Sequence, residues 1–239
     1  MIYEDLIYDV GLHIGQDTAF YLEKGFRVVA IEANPVLAHQ VAVRFAHACD
    51  VGQLRVLNVG VGSKAGRFPF YVNTLYSEWS SFEREIGTRG CKAEVIEVQT
   101  IPLEEIVREH GVPHYMKIDI EGYDTIALES IARLSERPHY ISAENGQPEM
   151  LDLMCGLGYS RFKFINQAEV PNMRCPSPAR EGRDIDHRFE FGASGPFGEE
   201  TVGQWKKREE VILEIVAYWN NPARDPNIHG WYDLHAAIE

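Results

Sequence analysis

Two glycines and a handful of carboxylates carry the chemistry open to this 239-residue chain. Asp9 and Gly11 lead through His13 to Gly15, and Glu32 follows about 20 residues beyond the first glycine. Glycines let a backbone approach a ligand closely, and a carboxylate at that spacing is placed to accept from two ribose hydroxyls, so the ligand contains a nucleoside. The pattern is Gly-x-x-x-Gly, with His13 where a dinucleotide loop has its second glycine. A pyrophosphate needs the missing side chain at that point, so NAD and FAD fit poorly. S-adenosylmethionine carries an amino acid there instead, and Asp9 and the loop amides can meet its ammonium and carboxylate. Asn58 and Gly60, at the end of a third apolar run, fall where the adenine of such a ligand is expected. Further on, Asp119 and Glu121 form an i, i+2 pair, and Glu144 follows the next apolar run. Carboxylates converging beside a hydroxyl can take its proton as a new bond forms.

These residues need elements to hold them. Leu6 to Val10 reads as a strand, Asp17 as the cap of a helix that stops at Gly25, and Val28 to Ile31 as a second strand delivering Glu32. Asn34 and Pro35 open another helix, cap and first turn respectively, with Leu37, Val41 and Phe45 on its buried stripe. Leu54 to Val61 reads as a third strand, Phe68 to Val72 and Glu94 to Thr100 as two more, and Asn73 to Gly90 as a loop or short surface helix. Pro102 to His110 is a helix closed by Gly111. Tyr115 to Ile120 and Tyr140 to Ala143 are buried strands, the first followed by a helix from Tyr123 to Leu134. Gln147 and Pro148 open a helix that ends near Gly158, and Tyr159 to Asn166 is a further strand. Strands alternating with helices imply a doubly wound α/β fold with a mostly parallel sheet, whose ligands lie outside the strand carboxyl ends.

Composition narrows the partners. A formal charge of −13 and a pI near 5.2 argue against nucleic acid or an anionic membrane, which are held by clustered Lys and Arg. The chain starts close to its first apolar run without a basic leader and nowhere approaches about 18 uninterrupted apolar residues. Cys49, Cys91, Cys155 and Cys175 lie far apart, which fits reduced thiols rather than a disulfide framework. A cytoplasmic protein with no membrane insertion is therefore expected.

Asp9-Val-Gly11 with Gly15, Glu32-Ala-Asn34-Pro35, and above all Lys117-Ile-Asp119-Ile-Glu121-Gly122 resemble the hallmarks of the FkbM-type methyltransferase family. The resemblance covers Ile7 to Glu144. It implies a Rossmann-like class I methyltransferase, a single domain spanning 1–239 whose seven-stranded sheet ends in an antiparallel strand, here Trp231 to Ile238. It implies S-adenosylmethionine as cofactor, with contacts from Asp9, Gly11, Gly15 and Glu32, and Asp119 and Glu121 beside the transferred methyl. Asn34, Asn58, Gly60 and His13, which stands where family members often carry Asn, complete the expected cofactor set. The acceptor implied is a hydroxyl on a small molecule, sugar, glycan or polyketide, with Glu121 or Glu144 as base and Asp119 orienting. His235 is a weaker candidate.

About 65 residues separate Asn166 from the last strand. A helix is expected over Val202 to Trp219, and the part at about 167–201 reads as a lid carrying acceptor specificity. Trp79, Phe82, Phe189 and Phe197 could stack on an acceptor ring or equally be packing of the lid. No protein metal site is assigned, although Asp119, Glu144 and Asn145 resemble a Mg²⁺ arrangement. Two other readings stay open: a non-catalytic S-adenosylmethionine-binding protein, and an NAD-dependent oxidoreductase. Oligomeric state is not legible.

Overall fold

The computed structural model describes residues 2–144, 146–225 and 230–239. In chain order the elements are β1 (Ile2–Val10), α1 (Gln16–Glu23), β2 (Arg27–Ile31), α2 (Pro35–Arg44), α3 (Ala46–Asp50), β3 (Leu54–Leu57), β4 (Gly60–Val61), β5 (Gly66–Asn73), α4 (Arg84–Gly87), β6 (Ala93–Ile101), α5 (Leu103–His110), β7 (Val112–Ile118), α6 (Asp124–Ile131), β8 (Tyr140–Ala143), α7 (Pro148–Gly156), β9 (Arg161–Asn166), α8 (Arg208–Trp219) and β10 (Tyr232–Ala237). The main sheet has seven strands in the order β3-β2-β1-β7-β8-β10-β9. All its pairings are parallel except those of β10, which runs antiparallel to both β8 and β9. The carboxyl ends of β1, β2, β7 and β8 therefore share one edge, which gathers the Gly11–Gly15 loop, Glu32, Asp119 and Glu144.

Local chemistry sets the boundaries. Asn34 accepts from the Val36 amide while Pro35 occupies the first turn of α2, as expected. Asp17 does not cap α1. The cap position is Gly15, at φ 81°, and the Asp17 carboxylate turns inward to accept from the amide and hydroxyl of Ser194. The third strand stops at Leu57 rather than Val61, because the Asn58 side chain donates to the carbonyls of Glu32 and Ala33 and diverts the chain. Gly60 and Val61 then join a separate sheet, ordered β4-β6-β5, in which β5 and β6 pair antiparallel from Gly66 opposite Thr100 to Asn73 opposite Ala93. A hairpin of that length satisfies its own ladder, so these strands stay out of the parallel sheet. Helix α8 begins at Arg208, not near Val202, because Lys206 is bonded through its backbone to Phe162 of β9.

Each face of the main sheet has its own core. On one, Tyr8, Val10, Met116, Ile118 and Ile141 pack under α5, α6, α7 and α8. On the other, Ile7, Val28, Tyr115 and Ile165 meet Phe20 and Tyr21 of α1, and Val170, Met173, Phe189 and Phe197 supply the rest. Those four come from the 167–201 segment. Phe197 is fully buried and stacks on Tyr115 at 4.7 Å between ring centroids and 9° between planes. The segment also delivers Glu200 to Lys24, a buried ion pair at 2.8 Å. It thus covers the sheet beside α1, work that a helix would do in a fully doubly wound fold, and meets the start of α1 at Phe191 and Ser194.

Candidate active site

Lys117 is the hub. It sits inside the buried run of β7, and a lysine in such a place requires carboxylates around it. Its Nζ lies 3.4 Å from Asp9, 3.3 Å from Asp17 and 3.5 Å from Asp119, and donates to the Gly11 carbonyl at 3.0 Å. Burial alone would depress its pKa, but Asp9, Asp119 and Asp17 hold it well above the ordinary value. Burial pushes Asp9 up to about 6 against the pull of Lys117. Asp9 has no exposed surface and accepts from Thr18 Oγ1 at 2.6 Å. It therefore lies beneath the glycine loop, joining β1 to α1, rather than on the crevice wall.

The loop is tied to the end of β2. The amides of Gly11 and Leu12 both donate to the Ile31 carbonyl, and Gly15 donates to Leu12. Glu32 accepts from the His13 amide and the Asn34 amide, each at 2.8 Å. Most of the loop amides expected to face a ligand are thus already bonded. Glu32 is buried, which pushes its pKa up to about 7 despite those amides. Each carboxylate oxygen keeps a second lone pair for a further donor. Gly11, at φ 94°, has no room for a side chain, since a Cβ would overlap the Asp119 carbonyl oxygen. His13 adopts φ 49° and its Nε2 contacts Ser77 Oγ at 2.8 Å, which draws the short 3₁₀ turn at Ser77–Trp79 over the loop. Burial lowers the His13 pKa, so the ring is a neutral latch. Asn58 spends its amide on two carbonyls, and Gly60 lies in β4 against the ring of Phe82.

At the ends of β7 and β8 the second group assembles around a cavity of about 310 Å³ lined by Ile86, Arg89, Glu121, Asp124, Glu144 and Met150, among others. Glu121, at φ 42°, pairs with Arg89 at 3.2 Å. Burial and the nearby Asp119 push Glu121 up to about 8, against that pull. Glu144 is raised well above the carboxylate range by burial and then by Asp119, Glu121, Asp124 and Asp233. Its Oε2 is buried and has no hydrogen-bond partner among the described residues. Asp124 is raised to about 7 by burial and Asp119. Asp119, Glu121 and Glu144 do converge.

Other expectations need correction. Phe189 and Phe197 are core residues, so of their two readings packing holds, and Phe82 is half-buried against Phe70 and Tyr123. Trp79 remains near the loop, against Tyr76 and Arg89. His235 is buried and, through burial and Lys163, its pKa falls to about 3, so it is a neutral interior residue. Asn145 lies outside the described residues. From sequence alone Lys117, Thr18 and Asp233 had no role, and Asp124 only that of a helix cap. For Lys117 the signal was present: a charge in the middle of an apolar strand.

A seven-stranded sheet of this order with reversed β10, a glycine loop after β1 and a carboxylate after β2 define a Rossmann-like class I methyltransferase fold. The acidic edge of β7 and β8 lies across the same crevice. The family model for the methyltransferase FkbM domain matches residues 9–161, more than half of the sequence, and the chain belongs to that family. Among solved structures it is similar to the FkbM methyltransferase of Methylobacillus flagellatus KT, with 18% identity and a TM-score of 0.43, over 66% of this chain and 37% of that one. The chain thus spans little more than a third of that relative's length. It is also similar to a precorrin-6y C5,15-methyltransferase from Geobacter metallireducens GS-15 (8% identity, TM-score 0.44, 100% of this chain and 82% of that one). A third structure is the glycopeptide N-methyltransferase MtfA complexed with sinefungin (10% identity, TM-score 0.34, 99% and 81%). No curated protein matches the sequence. Among the described residues no helix is long and apolar enough to cross a membrane.

Proposed function

We propose that this chain is an S-adenosylmethionine-dependent O-methyltransferase acting on a hydroxyl of a small molecule or carbohydrate. The observation that carries the reading is the cavity where Glu121 and Glu144 meet at the edge that also holds Glu32 and the Gly11–Gly15 loop. The residues present suit the cofactor: a glycine that tolerates no Cβ, and a buried carboxylate with spare lone pairs for ribose hydroxyls. Glu32 would hold the ribose, and Gly11, His13, Gly15 and Asn34 would shape its surroundings. Asp9 and Lys117 hold that loop from below. When bound, the cofactor supplies an electrophilic methyl on a sulfonium.

The rest falls to the chain's own groups. Holding the acceptor oxygen in line within a closed site supplies on the order of 7 to 11 kcal/mol in favourable cases. The neighbouring carboxyls Glu121 and Glu144 take the acceptor proton. Both carboxyls are raised toward or above neutral pH, which makes the ionised member a stronger base than an exposed carboxylate. Asp119, on the Lys117 side, orients. Exposed Tyr76 and Phe191 flank the glycine loop and would contact the acceptor, so the 191–194 stretch is the part of the 167–201 segment that bears on specificity.

The test is calorimetric titration with S-adenosylmethionine and S-adenosylhomocysteine, followed by a screen of hydroxylated acceptors for S-adenosylhomocysteine release. Binding of both compounds with turnover is expected. Glu121→Gln should keep cofactor affinity within a few-fold and slow transfer by about 100-fold or more. NAD binding in their place would overturn the reading, and cofactor binding without turnover on any acceptor would leave a binding protein.

A further inference from the structure

We propose that Glu4, His114 and His139 form a Zn²⁺ site at the amino-terminal edge of the main sheet, remote from the methyl-transfer crevice. Glu4 comes from β1, His114 from β7, and His139 immediately precedes β8, so the donors gather at the starts of three adjacent strands. Asp119 lies five positions beyond His114, just past the end of β7, about 16 Å of extended chain. Among the described residues this is the group of three His, Cys, Asp or Glu donors whose ligand atoms lie mutually close.

The three donor atoms form a nearly equilateral triangle. His114 Nδ1 is 3.1 Å from Glu4 Oε2 and 3.3 Å from His139 Nδ1, and His139 Nδ1 is 3.4 Å from Glu4 Oε2. Zinc bonds to nitrogen and oxygen of about 2.0 to 2.1 Å in a tetrahedron place neighbouring ligand atoms about 3.3 Å apart. The triangle therefore has the edge of a tetrahedral zinc face.

The surroundings of His114 point the same way. His114 Nε2 lies 2.8 Å from Glu181 Oε2, and Glu181 also accepts from the Glu199 amide. A carboxylate can only accept, so Nε2 donates to it and the bond orients the ring with Nδ1 toward Glu4. A carboxylate behind a ligating imidazole is also the usual outer partner of a metal-bound histidine. Phe26 lies parallel to the His114 ring at 6.2 Å and Tyr140 edge-on at 5.2 Å, which fixes its orientation. At the start of the β1–β7 pair Ile2 lies opposite Val112 and Tyr3 opposite Pro113, a register that leads Glu4 to His114 before it shifts ahead of Ile7. A cavity of about 420 Å³ lined by Glu4, His114 and Glu181 gives solvent access for a water as fourth ligand. Zinc here would pin the first turns of β1, β7 and β8, and through Glu181 the 167–201 segment.

The test takes the full chain, stripped with a chelator, and titrates it with ZnCl₂ by calorimetry and with CoCl₂ by visible absorption. One equivalent of zinc is expected, with intense tetrahedral cobalt bands that zinc displaces. At free zinc about 100 times its Kd the melting temperature should rise by about 5 to 10 °C. His139→Ala, at a half-exposed residue outside the strand, should weaken zinc at least tenfold. Glu181→Gln, which keeps all three ligands, should weaken it about 10- to 100-fold. Tetrahedral cobalt bands absent from the wild type, or zinc affinity equal in the wild type and His139→Ala, would overturn the site and mean that a proton alone bridges His114 and Glu4. Cofactor titration is unaffected in every case, so failure here is separate from failure of the methyltransferase reading.

Discussion

Replacing Lys117 by methionine tests the hub beneath the glycine loop. The substitution keeps the length of the side chain and removes the cation that Asp9, Asp17 and Asp119 share at 3.3 to 3.5 Å. At an effective dielectric constant of about 20, each contact contributes roughly 5 kcal/mol of attraction, most of it offset by the desolvation of four buried or half-buried charges. Breaking such a cluster from one side costs about 3 to 5 kcal/mol, because the carboxylates remain buried without their counter-charge. In a chain of this size that lowers the melting temperature by about 6 to 20 °C. The pH dependence has a definite sign. Asp9 is raised to about 6 even with Lys117 present, and losing the cation raises it further. A carboxyl raised in the folded state favours folding at low pH and loses that advantage as pH rises through its folded value. The gap between variant and wild type should therefore widen from pH 5 to pH 8 in urea denaturation followed by circular dichroism. A loss below about 1 kcal/mol, or a gap that narrows over that range, would refute the assignment of Lys117 as the balancing charge.

Three further substitutions probe other parts of the argument. Glu32→Ala should fold and weaken S-adenosylmethionine by roughly 10- to 100-fold in calorimetry, the loss of hydrogen bonds to a charged acceptor; unchanged affinity in the folded variant removes Glu32 from the ribose. Gly11→Ala meets both a positive φ and the Asp119 carbonyl, so a cost of about 2 to 4 kcal/mol in denaturant is expected, and a neutral result would contradict the packing of the loop. Phe197→Ala should cost about 3 to 5 kcal/mol, as for a large core residue. Were the 167–201 segment only a surface lid, that variant would melt like the wild type.

The residues themselves wrote down much of this protein. Apolar runs ending in Gly11, Glu32 and Asp119 announced parallel strands with a shared ligand edge, and Asn34-Pro35 announced its helix start, because these are local rules of backbone dihedrals, capping and burial that operate within a few residues. Periodicity could not say which strands pair, since pairing depends on contacts far apart in sequence. Folding alone sent Gly60–Val61, β5 and β6 into a second sheet, where a long antiparallel ladder competed with the parallel one. It was tertiary packing, too, that took Phe189 and Phe197 from a loop into the core, turned Asp17 from a cap into a partner of Ser194, and put Lys117 among three carboxylates. The same holds for Glu4, His114 and His139, which are more than a hundred residues apart at their extremes and share no motif. Only the adjacency of β1, β7 and β8 in the sheet brings their donor atoms to within 3.4 Å. Local sequence encodes conformation and the ends of elements; charge compensation and metal geometry are three-dimensional properties, and they exist only once the strands are side by side.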